Sequence, residues 1–266
     1  MTVPIALSIA GLDPSGGAGV LADVKTFTAL GVYGAGVVTA VTVQNTLGVR
    51  AVSPLPAELV AAQLDALLTD LPVRAVKIGM LATAEIVHAV ADVLRAHPGP
   101  AVVLDPVLVA SSGAPLLDDD AVAALLTELL PLTTLLTPNL PEAARLLGET
   151  LPPTEAGARL LAHGAGAVLV KGGHGAGAEL EDVLVTCGAC APLRLRHPRV
   201  DTPHTHGTGC ALSAAIAAGL AREMPLYQAV EHAVTWLQGA LVNAYPIGAG
   251  HGPVHHAWQI WPENIP

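Results

Sequence analysis

Ile5–Gly31 reads IALSIAGLDPSGGAGVLADVKTFTALG. The first seven residues, IALSIAG, are an apolar run with the length and composition of a buried strand. The last thirteen, GVLADVKTFTALG, bring Leu21, Val24, Phe27, Thr28 and Leu30 near a helical spacing. Between the two, Gly11, Gly16, Gly17 and Gly19 keep the connection open. A strand that enters a helix through a glycine-rich turn is the opening unit of a parallel α/β sheet, and this unit decides the expected fold. The spacing is G-x-x-x-x-G-G-x-G rather than G-x-G-x-x-G, and no acidic residue ends a second strand about 20 residues on, so the dinucleotide fingerprint is not met. Asp13 and Asp23 can each bind a ligand here, or serve as turn and cap residues.

The alternation continues outward from this unit. GAGVVTAVTVQNT (34–46) reads as a buried strand, AELVAAQLDALLTDL (57–71) as an amphipathic helix and RAVKIGML (74–81) as a short strand. TAEIVHAVADVLRAH (83–97) is a helix that Thr83 can cap, with Glu85 in its first turn. PAVVLDPVLV (100–109) is a strand ending in an acid and a proline, and DDDAVAALLTELLP (118–131) is a helix with acids at its start. TTLLTPNL, PEAARLLG, TEAGARLLAHG and AGAVLVKGG repeat strand, helix, helix and strand between 133 and 173. Residues 178–202 read as a strand pair, and two helices and an irregular tail follow. No linker or shift of composition divides the chain. The expectation is a single α/β domain over 1–266, a mostly parallel central sheet with helices on both faces, and ligands at the carboxyl ends of the strands.

Composition removes several classes of function. Apolar residues are 52% of the 266, enough for a large core, and aromatics only 3%, so Ala, Leu and Val must fill it. The formal charge of −10 argues against a nucleic-acid surface. No apolar segment reaches the roughly 18–20 residues of a membrane span, and the N-terminus lacks the basic start of a signal peptide. Three cysteines make no disulfide framework. Cys187 and Cys190 form a lone C-x-x-C that reads as two cysteines in or beside a strand. A cytoplasmic location is expected.

The polar motifs fall at strand exits. In HGTGC (206–210), Gly207 and Gly209 let the backbone approach an anion, and the helix that follows directs free N–H groups at it. The turn is equally compatible with a helix start that binds nothing. VVLDPV places Asp105 at a strand end, and TPNLPE places Asn139 and Glu142 at the next. These oxygens suit Mg²⁺ held with waters and phosphates, or Asn139 and Glu142 are a helix cap and its first-turn acid. VLVKGGH puts Lys171 where it can reach a phosphate, with His174 and Asp182 on the loop beyond. The late HGPVHH (251–256) can bind a metal incidentally, but reads first as histidines packed in an irregular tail.

Taken in order, AGLDPSGGAGVLADVKTFTALGVYG, TAVTVQNT, VKIGML, LDPV, TPNLPEA, VKGGH, DTPHTHGTGCALSAAIAAGLA and GAGHGPVHH resemble the hydroxymethylpyrimidine/phosphomethylpyrimidine kinases of thiamine biosynthesis, within the ribokinase-like superfamily. The resemblance covers nearly the whole chain and implies a three-layer sandwich. It implies an ATP- and Mg²⁺-dependent kinase that phosphorylates 4-amino-5-hydroxymethyl-2-methylpyrimidine and then its monophosphate. By the same resemblance Gln44 reads the pyrimidine, helped by Gly11, Asp23, Met80 and Val107. Asp105, Asn139 and Glu142 manage the nucleotide phosphates, with Asp105 and Glu142 the metal ligands. Lys171 contacts phosphate, Gly207, Thr208 and Gly209 form the anion hole, and Cys210 stands at the catalytic position. The chain differs from the usual pattern at Leu12 and at Pro203–His204. A pyridoxal kinase of the same superfamily and a catalytically silent vitamin-binding protein are the rival readings. A homodimer is implied by resemblance alone.

Overall fold

The structure, a computed structural model, describes residues 3–109, 117–173, 177–188 and 191–261. His174 and Cys190 lie outside the described residues. One nine-stranded sheet organises the chain, in the order β3-β2-β1-β4-β5-β6-β7-β8-β9. Its centre is parallel: β2 (Tyr33–Asn45), β1 (Ile5–Leu12), β4 (Ala75–Ile78), β5 (Ala101–Leu104), β6 (Leu135–Leu136) and β7 (Ala167–Val170). Antiparallel strands close both edges, β3 (Gly48–Pro54) on one side and β8 (Glu179–Thr186) with β9 (Leu193–Pro198) on the other.

Helices cover both faces. On one lie α2 (Ala57–Asp70), α3 (Ala84–Ala96), α4 (Asp119–Ala124), α5 (Leu140–Leu147) and α6 (Pro153–Ala162), packed around Leu64, Ile78, Leu104 and Leu129. On the other, α1 (Gly19–Ala29), α7 (Thr208–Ala221) and α8 (Leu226–Val242) pack around Phe27, Ile216 and Trp236. The result is the three-layer α/β sandwich read from the sequence, and Ala-rich α7, buried on nearly every side, replaces aromatic bulk with close approach. The chain runs from β1 to β2 and β3 on one side, then crosses to β4 on the other. That reversal beside β1 is where an open parallel sheet leaves a crevice at its strand ends.

Several elements differ from their expected form. The inward stripe of α1 is Val20, Ala22, Asp23, Thr26 and Phe27, and Leu21 is exposed. The outer half of β2 is not buried: Val41 and Val43 face outward, because this half pairs with β3, a strand the sequence did not announce. Asp182 lies within β8, not on a loop. The helix expected over 118–131 is α-helical only to Ala124. It passes into a π turn (Leu125–Leu129) and a 3₁₀ turn at Pro131, which has no N–H to continue the ladder.

Candidate active site

A cavity of about 770 Å³ opens at the carboxyl ends of the parallel strands. Gly11, Gln44, Met80 and Val107 line one end, and Asp105, Asn139, Glu142, Lys171 and the Gly207–Cys210 turn line its middle. The far end is walled by Asp182, His197, Leu237, Gln238 and Leu241.

The turn is built by backbone contact. Gly207 takes φ +76° before α7, and a Cβ there would overlap the carbonyl oxygen of Gly17. Gly19 takes φ +60°, and a Cβ there would overlap the Gly11 carbonyl. The Gly207 contact locks the turn before α7 onto the first loop, and the Gly19 contact closes that loop on itself, each at a position that excludes a side chain. Around Gly209, Lys171 Nζ and an Asp105 oxygen would stand 3.4 and 3.6 Å from an added Cβ, so the helix N-terminus looks directly at the charged cluster.

That cluster comes from three strand exits. Lys171 Nζ donates to Asp105 Oδ1 at 2.9 Å and lies 3.7 Å from Glu142 Oε2. The Lys171 N–H bonds the carbonyl of Pro138 at 2.8 Å, tying the exit of β7 to that of β6. Ser213 of α7 and Thr137 donate to the two Asp105 oxygens, each at 3.3 Å. Burial would raise the Asp105 carboxyl, but Lys171 and Lys77 hold it below its ordinary value. Burial would lower Lys171, but Asp105 and Glu142 raise it, so this amine stays charged. Asn139 and Glu142 form a capping box: Asn139 Oδ1 accepts from the Glu142 N–H at 2.8 Å, and Glu142 Oε2 accepts from the Asn139 N–H at 2.7 Å. Both readings offered by the sequence are therefore compatible, because the residues that cap α5 also line the cavity.

Cys210 is half-buried in the first turn of α7. Burial pushes its thiol above the ordinary 9.0, against the lowering influence of the Lys77 charge. The thiolate that a helix N-terminus can favour is not favoured here.

Asp23 departs from its expected contact with a ligand. It does not line the cavity but is wholly buried beneath it. Lys77 donates to Asp23 Oδ2 at 2.8 Å and Oδ1 at 3.0 Å, and Ser8 Oγ donates to Oδ2 at 2.6 Å. Lys77 is itself wholly buried and is raised chiefly by Asp23, against its own desolvation. A lysine in the middle of the buried string RAVKIGML was the available signal for this pair.

Gln44 does line the cavity. One terminal atom of its amide is 3.0 Å from Thr42 Oγ1, and the other is 3.3 Å from His206 Nε2. The His206 Nε2 lies 2.8 Å from Asp13 Oδ2. Sequence reasoning missed His206, although it stands directly before the glycine turn. Of the far wall it named only Asp182. There the Asp182 carboxylate accepts from the Gly172 N–H at 2.7 Å and meets His197 Nε2 at 3.2 Å. Gln238 on α8 meets His197 Nδ1 at 3.1 Å. No motif marks His197 or Gln238, because only folding brings α8 over β8 and β9.

The remaining motifs fall elsewhere. Cys187 is exposed just beyond β8. In the late histidine run His251 Nδ1 lies 2.9 Å from the Pro203 carbonyl, and His256 is buried. Among the described residues no group of three His, Cys, Asp or Glu is placed to hold a metal, and no helix is long and apolar enough to cross a membrane.

Residues 13–255 match the family model described as phosphomethylpyrimidine kinase. The chain is 52% identical over 264 residues to the hydroxymethylpyrimidine/phosphomethylpyrimidine kinase of Rhizobium meliloti, covering 97% of this chain and 98% of that one. It resembles the crystal structure of Bacillus subtilis pyridoxal kinase in an ADP complex with a TM-score of 0.88 and 34% identity, covering 96% and 98% of the two chains. It resembles phosphomethylpyrimidine kinase from Clostridium difficile with a TM-score of 0.78 and 37% identity, covering 90% and 100%.

Proposed function

This chain belongs to the phosphomethylpyrimidine kinase family and is a kinase, and from that premise we propose that it phosphorylates 4-amino-5-hydroxymethyl-2-methylpyrimidine, and then the monophosphate, with ATP, for thiamine biosynthesis. The observation that carries the reading is the continuity of one cavity from Gln44, past the turn before α7, to the apolar wall of α8. Its size is in the range of small-molecule sites and leaves room for an acceptor at one end and a nucleotide at the other.

In this reading the pyrimidine lies against Gln44, Met80, Val107 and Gly11. Its hydroxymethyl is directed at Gly207–Cys210, and the nucleotide base lies along Leu237 and Leu241. The Gly207 and Gly209 N–H groups and the Lys171 ammonium receive the charge that spreads over the transferring phosphoryl oxygens, and they are fixed before it develops, while the Thr208 N–H is held by the Thr205 carbonyl. Lys171 holds its proton throughout, because Asp105 and Glu142 flank it. Cys210 acts as a protonated thiol beside the acceptor oxygen, not as a standing thiolate. Asp23 and Lys77 act from below, as a neutralised pair that supports the floor.

Asp105 and Glu142 are two hard oxygen donors converging on Lys171, a set that fits Mg²⁺ held through phosphates and waters rather than in a protein cage. Bound there, the ion would neutralise phosphate charge. The same reading takes residues 1–266 as one domain that acts in the cytoplasm as a homodimer.

Purified protein incubated with ATP and the pyrimidine alcohol tests the proposal by product mass. Successive gains of one and two phosphates are expected, and no gain contradicts it. The likeness to pyridoxal kinase supports pyridoxal as a second acceptor, measured in the same assay.

A further inference from the structure

We propose that His206, anchored on Asp13, fixes which end of the Gln44 amide points which way, and that this orientation makes the site accept the 4-amino ring and refuse its 4-oxo counterpart. The inference rests on the pyrimidine-alcohol reading above.

Asp13 is surrounded by donors. Its Oδ1 accepts from the Ser15 N–H at 2.9 Å and from Ser15 Oγ at 2.7 Å, and its Oδ2 accepts from the Ala18 N–H at 3.0 Å. A carboxylate so held only accepts, so His206 Nε2, 2.8 Å from Oδ2, donates its proton there. This is true of the neutral Nε2–H tautomer and of the charged ring alike. The same nitrogen lies 3.3 Å from one terminal atom of the Gln44 amide. Two donors cannot bond one another. Nitrogen and oxygen of an amide are distinguished by their partners and not by their shape, so the atom facing His206 is the carbonyl oxygen.

The other end of the amide agrees. With the ends so assigned, the Gln44 nitrogen faces Thr42 Oγ1 across the 3.0 Å contact. The single proton of Thr42 is then free to go to the Leu12 carbonyl, 3.1 Å away. With the ends reversed, two donors would meet at His206; as assigned, the His206 N–H points to Asp13 Oδ2 with the amide oxygen as a second acceptor beside it. Leu12 contributes through its backbone, which is indifferent to its side chain.

The orientation has a consequence for the ligand. From the His206 side to the Thr42 side, Gln44 offers an acceptor and then a donor. His206 adjoins Gly207–Cys210, where a hydroxymethyl must sit to receive phosphate. Around the ring of the substrate the order is hydroxymethyl, exocyclic amine, ring nitrogen: reacting group, donor, acceptor. The two sequences match. In the 4-oxo ring the carbonyl accepts and the adjacent ring N–H donates, so both contacts become like against like. Buried polar groups left facing like partners discriminate more sharply than lost apolar contact.

The test is kcat/KM for the 4-amino and 4-oxo alcohols, in wild type, His206→Phe, His206→Gln and Asp13→Asn, with thermal unfolding as the control for folding. The wild type should favour the amine by about a hundredfold or more. His206→Phe keeps a ring against Gly17 but has no donor, and its ratio should fall about tenfold or more, with Asp13→Asn falling in the same direction. His206→Gln, which retains a terminal N–H, should keep more of the ratio than His206→Phe. A folded His206→Phe and Asp13→Asn that both keep the wild-type ratio overturn the assignment. So does a wild type that takes both rings within a few fold, whatever becomes of the variants. A wild type that phosphorylates neither ring overturns the pyrimidine reading, and this proposal with it.

Discussion

Cys210 stands in the first turn of α7, within reach of the buried charge of Lys77, where the proposal puts the acceptor oxygen. Because burial holds its thiol above the ordinary 9.0, a thiolate base would confine full activity to strongly alkaline solution. The account expects kcat with no rising limb between pH 7 and 9 that Cys210→Ala removes. It expects Cys210→Ala to lower kcat by about a hundredfold while pyrimidine affinity changes much less, the pattern of a group that acts in the transition state. Steady-state kinetics and calorimetric binding check both. Lys77 is the second decisive residue. Lys77→Met leaves Asp23 buried with its ammonium gone, a change that costs about 3–5 kcal/mol, read from urea unfolding. His256 gives a pH signature. Burial pushes its imidazole down to about 3, below its ordinary 6.5, so the unfolded chain binds the proton first. Its contribution is whole above pH 6.5 and is lost as pH falls toward 3, at up to ~1.4 kcal/mol per pH unit. His256→Phe should flatten that part of the stability curve. Of these residues the sequence singled out Cys210, through its place after two glycines. The burial that raises its thiol and the pair beneath it belong to the folded chain.

The helices at the site show which elements can be read from pattern. Residues 139–148 carry their own instructions: Asn139 caps, Pro141 begins, Glu142 closes the box and Gly148 ends α5 at φ +73°. Asn139→Ala should lower stability by about 1 kcal/mol and, by leaving the Glu142 N–H without its acceptor and loosening the first turn of α5 that positions Glu142, should also raise the KM for ATP. A loss of stability with unchanged KM would separate the cap from the site. Thr83 before α3 was legible in the same way, its Oγ1 accepting from the Ile86 N–H at 3.3 Å. Where elements answer to distant partners the pattern gave out. β3 has no apolar alternation, and it forms because the outer half of β2 needs a partner along its edge. The face of α1 was displaced for a related reason: Asp23, a charged residue that periodicity assigns outward, turns inward to meet Lys77 on β4. Gly207, whose φ of +76° no side chain tolerates easily, was legible as a glycine but not as the partner of Gly17.

At the scale of the molecule, β–α alternation was enough to give the layers and the parallel centre of the sheet. It also placed function at the strand exits, because each crossover returns the chain to the same edge. Gly11, Gln44, Met80, Val107, Asp105, Asn139, Glu142, Lys171 and the 207–210 turn, drawn from positions up to about 200 residues apart in the chain, all line one cavity. The far wall was not legible, since Leu237 and Leu241 are ordinary apolar residues of a helix until α8 is laid across the strand ends. The central proposal is that this one cavity takes both the acceptor and the nucleotide of a phosphoryl transfer. The measurement that tests it most directly is kcat/KM, with ATP as donor, for the pyrimidine alcohol, its monophosphate and pyridoxal. The account predicts transfer to both pyrimidines, each above pyridoxal. Turnover confined to pyridoxal, or absent from both pyrimidines, would contradict it.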